Sequence, residues 1–269
     1  MILEIKNSIQ DYEDLINDFL NDECFSDPHY MYDKDNLYSA LKKKNQKAYA
    51  VFEKNTVKGL FIWLILPNEK YIEMIIGLSR TESVIEEMIS FIEKAHLGYK
   101  FDFVINPKNE AFKSVLNKRN ASFDSEQQKM VWGRDVTIKN LPYVELLTSK
   151  YEHQYKNIHN EDVYWTSEKI LNAKEKFRVY VAIKDEEVIG YLDVTYCYKK
   201  NEPYYLFVKE EYLNLGYEHA LLSEAIKNNK PNGVMVLVDV DSTNEIKIYE
   251  DVGFRKVAKQ NCIYATFKS

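Results

Sequence analysis

The sequence predicts an α/β fold read out twice along one chain, with helices on a mixed sheet. Three observations carry this: a repeated hairpin text, a repeated helix–strand–helix order, and composition in the ordinary globular range. The chain has 269 residues, with 45% hydrophobic and 29% charged. That length sets a soft expectation of two domains. Around Gly59 the text is Tyr49-Ala-Val-Phe-Glu-Lys-Asn-Thr-Val-Lys-Gly59-Leu. Around Gly190 it is Tyr180-Val-Ala-Ile-Lys-Asp-Glu-Glu-Val-Ile-Gly190-Tyr, offset by 190 − 59 = 131 residues. Alternating apolar residues on both sides of a polar turn predict a β-hairpin at each place.

The remaining elements follow in matching order. Residues 12–20 and 36–43 read as helices before the first hairpin, and 143–155 and 167–174 before the second. After the hairpins, residues 82–94 place Val84, Ile85, Met88, Ile89 and Ile92 at helical spacing, and residues 219–227 repeat the pattern. Each helix leads to a short apolar strand, 101–105 and 234–238. A second helix follows at about 109–119 and 244–252. Extended segments at 129–132 and 262–267 then close the halves. Helical and strand signals lapse between Gly133 and Pro142. This sets the expected domains at 1–135 and 136–269.

Composition narrows the function. A net charge of −6 and an isoelectric point of about 5.6 argue against a nucleic-acid partner, because phosphate contacts need a basic face. The longest apolar run, Gly59 to Leu66, is eight residues, against about 20 for a membrane span. The N-terminus turns acidic at once, so no secretory signal is expected and the chain reads as cytoplasmic. Cys24, Cys197 and Cys262 are far apart and form no CxxC pair, so neither a metal site nor a disulfide framework is expected.

The second half carries the chemistry. The stretch from Leu206 to Leu222 runs from a strand ending in Phe207 and Val208, through Leu213-Asn-Leu-Gly216-Tyr-Glu218, into an apolar helix. The stretch from Val236 to Phe254 is a strand, Asp-Ser-Thr-Asn244, a helix, and Ile248-Tyr249-Glu-Asp-Val-Gly-Phe254. Together they resemble the cofactor motifs of the GNAT superfamily of N-acetyltransferases. The resemblance covers roughly residues 137–269, and more weakly the first half. It implies two tandem lobes, each a mixed, mostly antiparallel sheet flanked by helices. It also implies an enzyme that transfers an acetyl group from acetyl-CoA to an amine by direct attack.

Residue by residue, the resemblance places the pantetheine arm along the strand at Phe207 and Val208, where an extended ligand adds like a strand. It places the pyrophosphate at the backbone N–H groups of Asn214, Leu215, Gly216, Tyr217 and Glu218, since a helix N-terminus favours anions. It assigns Tyr249 to protonate the leaving thiolate, and Ser242 or Asn244 to the start of the later helix, as cofactor contacts or caps. A packing role for Tyr249 is the plain alternative in a chain with 21 tyrosines. Asp193 and Glu202 are the positions for a general base, with surface charge or water relays as alternatives. Tyr196, Tyr198, Tyr204 and Tyr205 would line the substrate side or pack across strands.

The departures from the pattern are specific. Of the phosphate motif only Gly216 remains. Leu213 replaces a polar or basic residue, and Glu218 stands where glycine or alanine is usual. Glu218 is expected either to repel a pyrophosphate or to point into solvent. In the first half, Leu116 stands where Tyr249 does and Asn120 where Gly253 does, and the loop 78–83 has no glycine. That half is expected to bind no cofactor. The competing function is a non-catalytic CoA-binding or protein-interaction module that retains the fold.

Overall fold

A computed structural model describes residues 1–20, 22–32 and 34–269. The chain forms two compact units, Met1–Gln128 with Ala258–Ser269, and Lys129–Val257. These do not coincide with the sequence halves 1–135 and 136–269, because the two closing segments change places.

The first unit begins with β1 (Ile2–Ile5), α1 (Glu13–Leu20), α2 (Pro28–Tyr32) and α3 (Asp35–Tyr38). The hairpin follows as β2 (Gln46–Glu53) and β3 (Thr56–Leu66), then β4 (Tyr71–Ser79), α4 (Glu82–Ala95), β5 (Lys100–Ile105), α5 (Glu110–Asn117) and β6 (Ser122–Phe123). Helix α4 buries the five residues its spacing singled out, Val84, Ile85, Met88, Ile89 and Ile92, each worth about 1.5–3 kcal/mol when fully buried. Helix α5 is capped by Asn109, whose side chain accepts from the Phe112 N–H at 3.2 Å.

The next strand, β7 (Gln127–Trp132), carries the chain into the second unit. There follow β8 (Val144–Leu146), α6 (Glu152–Ile158), α7 (Ser167–Asn172), β9 (Phe177–Lys184), β10 (Glu187–Thr195), β11 (Lys200–Asn201), β12 (Pro203–Val208), α8 (Tyr217–Asn229), β13 (Gly233–Asp239), α9 (Thr243–Asp251) and β14 (Phe254–Lys256). The last strand, β15 (Ile263–Lys268), returns to the first unit. Residues 143–155, expected helical throughout, instead begin with β8. Val144 and Leu146 alternate with Glu145 and pair with β9, and the helix starts only at Glu152.

The first unit's sheet has the order β1-β2-β3-β4-β5-β15-β6. Strand β15 lies antiparallel to β5 over its whole length, and Ala265 and Phe267 enter that unit's core. The second unit has two four-stranded sheets, β12-β10-β9-β8 and β11-β13-β7-β14. One face of β10 packs Ile189, Leu192 and Val194 into a core shared with α8 and α9. Its other face packs Val188 and Tyr191 against α6 and α7. Gly190 allows the close approach of β10 and β12, since a Cβ there would lie 2.7 Å from the Phe207 carbonyl oxygen. Among the described residues no helix is long and apolar enough to cross a membrane.

Candidate active site

In the second unit β12 and β13 belong to different sheets, so among the described residues no strand is hydrogen-bonded to the outer edge of β12. An extended ligand can hydrogen-bond to such an edge as an added strand. Phe207 and Val208 lie on β12, opposite Tyr191 and Gly190 of β10. The chain then turns through residues 209–216 into α8. Gly216 is the N-cap at φ +90°, a conformation that glycine adopts without a Cβ penalty. Asn214 also has positive φ, at +62°.

Glu218 does not point into solvent. It is 5% exposed, and its Oε1 accepts the Asn214 N–H at 3.3 Å. Its Oε2 is buried without a hydrogen-bond partner. The expectation that the N–H groups of residues 214–218 all stay available is therefore corrected: Asn214's is taken by a carboxylate from the same chain. Leu215 is exposed and Tyr217 packs in the core. His219 lies 3.3 Å from Asp251 on α9.

Tyr249 sits on α9, 2% exposed, in the same core cluster as Val208 and Tyr217. Burial raises its hydroxyl above the ordinary tyrosine range, and Glu245 and Glu202 raise it further. Glu202 lies just before β12, with its backbone N–H donated to Thr195 Oγ1 at 2.7 Å. Burial pushes its carboxyl up to about 7, against the opposing pull of the Lys129 cation. Sequence reading missed Lys129, which is buried in β7. Its one signal was a lysine directly before the apolar Met130-Val-Trp132.

Ser242 is the N-cap of α9 but its side chain caps nothing, and Asn244 lies exposed in the first turn. Gly253, at φ +101°, follows α9, and Phe254 enters the core, as the sequence suggested. Asp193 is neither a surface charge nor open to a ligand. Its oxygens accept from Tyr155 Oη at 2.8 Å and pair with His159 Nε2 at 3.0 Å, and burial raises its carboxyl. Among the tyrosines, Tyr205 stacks on Tyr191, Tyr204 meets Phe177 edge-on, and Tyr196 lies under the Arg178 guanidinium.

The first unit handles the equivalent opening differently. Strand β4 pairs with β5 only over residues 71–74 and 100–103, and beyond that the strands part. The chain's own residues fill the gap. Asp27 Oδ2 accepts the Gly77 N–H at 2.7 Å, Oδ1 accepts the Tyr30 N–H at 3.1 Å, and Asn106 Nδ2 donates to the Ser26 carbonyl at 3.2 Å.

Residues 175–256 match the family described as acetyltransferase (GNAT) domain. These residues carry a GNAT-type domain. Solved structures agree on the fold at low identity. A GCN5-related N-acetyltransferase from Sphaerobacter thermophilus superposes at a TM-score of 0.66 with 10% identity, covering 99% of this chain and 95% of that one. A GNAT-family acetyltransferase from Colwellia psychrerythraea gives 0.53 at 8% identity, with all of both chains covered. A tandem GNAT protein from the clavulanic acid biosynthesis pathway gives 0.54 at 10% identity, covering 99% and 98%. No curated protein matches the sequence. The GNAT domain lies within the second unit, around β9 to β14, and holds all the residues singled out for the site.

Proposed function

We propose that this protein is an N-acyltransferase whose second unit takes an acetyl group from acetyl-CoA and passes it to an amine by direct attack. The observation that carries this reading is the open edge of β12. The N-terminus of α8 stands beyond its C-terminal end, and Glu202 precedes its start, electrostatically coupled to Tyr249. From Glu202 to Val208 is six residues, about 20 Å of extended chain. A thioester arm lying along Phe207 and Val208 would have its headgroup near Leu215, Gly216 and Tyr217. Ser242 and Asn244, where α9 begins, would complete the cofactor contacts.

The chemistry follows from the two perturbed groups. An alkyl ammonium must lose a proton before it attacks, since its pKa is about 10.4. Glu202, with its carboxyl near neutrality, accepts that proton directly or through water. The amine nitrogen bonds to the thioester carbonyl carbon, the carbon–sulfur bond breaks, and the nitrogen sheds its second proton to water. Tyr249 holds its proton at working pH and gives it to the departing thiolate. The first unit binds no donor in this reading, because Ser26, Asp27 and Pro28 occupy its opening. The site takes one thioester per chain.

A second reading, a non-catalytic module retaining the fold, is favoured by Glu218 sitting on the loop's own amide. Thiol release from acetyl-CoA in the presence of a panel of amines separates the two. Amine-dependent release that disappears in Tyr249→Phe supports the enzyme, whereas binding without release under every amine favours the module.

A further inference from the structure

Helix α8 has thirteen residues, and its first turn offers backbone N–H groups without intrahelical partners. The helix dipole adds a partial positive charge of about half a unit. Such an end takes an anion, and here the anion is already part of the chain. Glu218 lies buried in the first turn, with one oxygen on the Asn214 N–H and the other unpartnered. Among the described residues of the loop leading to this end, none brings an unpaired lysine or arginine. Residues 210–218 contain Glu210, Glu211 and Glu218 and no lysine or arginine. Lys209 is paired with Glu187, and the Lys184 ammonium lies over the Tyr212 ring, 5.0 Å from its centroid. The rim is apolar, with Leu213 and Leu215 42% and 59% exposed.

We propose that Glu218 is a specificity-determining residue. It fills the place of a ligand anion and turns the site towards acyl thioesters with an uncharged, pantetheine-class arm. The polyphosphate extension of CoA then contributes little to binding. A diphosphate at this end would face a buried carboxylate. A neutral arm brings no charge for that carboxylate to repel. This inference rests on reading β12 and α8 as the donor site.

Calorimetric titration of the full chain with CoA and with pantetheine tests it, on wild type, Glu218→Gln and Glu218→Ala. Glu218→Gln keeps the size of the side chain and an acceptor for Asn214 while removing the charge, and unchanged melting temperatures verify folding. Wild type is expected to bind the two ligands within about threefold of each other. Both variants are expected to bind CoA at least about tenfold more tightly, because removing one like charge a few ångströms away exceeds the 1.4 kcal/mol that tenfold requires. Pantetheine affinity should stay within about twofold, since that ligand carries no charge for the carboxylate to repel. If the variants bind CoA no better than wild type while pantetheine still binds, the role of Glu218 is overturned and the donor site stands. If neither ligand binds to any of the three proteins, both fall.

Discussion

Tyr249 and Glu202 make opposite demands on their surroundings, and the structure meets both by burial. Desolvation keeps the phenol protonated and lifts the carboxyl to about 7, which fits an acid and a base at neutral pH. Tyr249→Phe is expected to lower kcat by about 10²–10⁴-fold with donor affinity nearly unchanged. An equal fall in affinity and turnover would assign the tyrosine to packing. As the proposed base Glu202 must be deprotonated, so kcat/KM should rise with pH through about 7, and Glu202→Gln should remove that limb from the profile. Sequence showed both residues, since each stands at a motif position. It did not show that Asp193, the other base position, is enclosed by Tyr155 and His159, 38 and 34 residues away. Nor did it show which way Glu218 turns. A charge in a first helical turn reads the same whether its rotamer faces water or its own loop.

Elements with a strong internal period were legible, and those defined by a distant partner were not. Helix α4 declares itself by five apolar residues on one stripe. The hairpins do so by alternation around a polar turn. Strand β8 is three residues long, too short for any period, and only its ladder with β9 makes it a strand. The segment leading into α2 poses a similar problem, because nothing local says that Asp27 will reach Gly77. Its burial has a consequence for pH. Asp27 and Glu73 are both pushed up to about 7 by burial, while His29 is pushed down to about 4. The folded state therefore holds two carboxyl protons that the unfolded chain releases between about pH 4 and 7, so stability falls as pH rises. His29 acts the other way over about pH 4 to 6.5, and two groups outweigh one. Denaturant unfolding should show the first unit on the order of 2–4 kcal/mol less stable at pH 7.5 than at pH 5. Asp27→Asn should shrink that difference, and an unchanged difference would remove Asp27 as its source. At the other opening, Gly190→Ala is expected to cost about 1–3 kcal/mol, measured by denaturant midpoint, because its Cβ would press on the Phe207 carbonyl.

At the scale of the whole chain, the sequence halves and the folded units differ by one exchanged strand each. The segments 129–132 and 262–267 look alike in sequence, short and apolar, and either would satisfy either sheet's pattern. Their assignment depends on pairing across long separations, as in β15 with β5. Cutting at the sequence boundary, between residues 135 and 136, should therefore yield two fragments that each lack a strand of their own unit. Neither is expected to give cooperative unfolding alone, and mixing or co-expression should restore it. Two independently folded fragments would contradict the exchange. The central claim is that one thioester lies along β12 and none lies in the first unit. Backbone amide hydrogen exchange with and without acetyl-CoA or acetyl-pantetheine tests it most directly. Slowed exchange at residues 205–208 and 215–217, with residues 75–79 of β4 unchanged, is the expected result. Protection at β4, or none along β12 at saturating ligand, would contradict it.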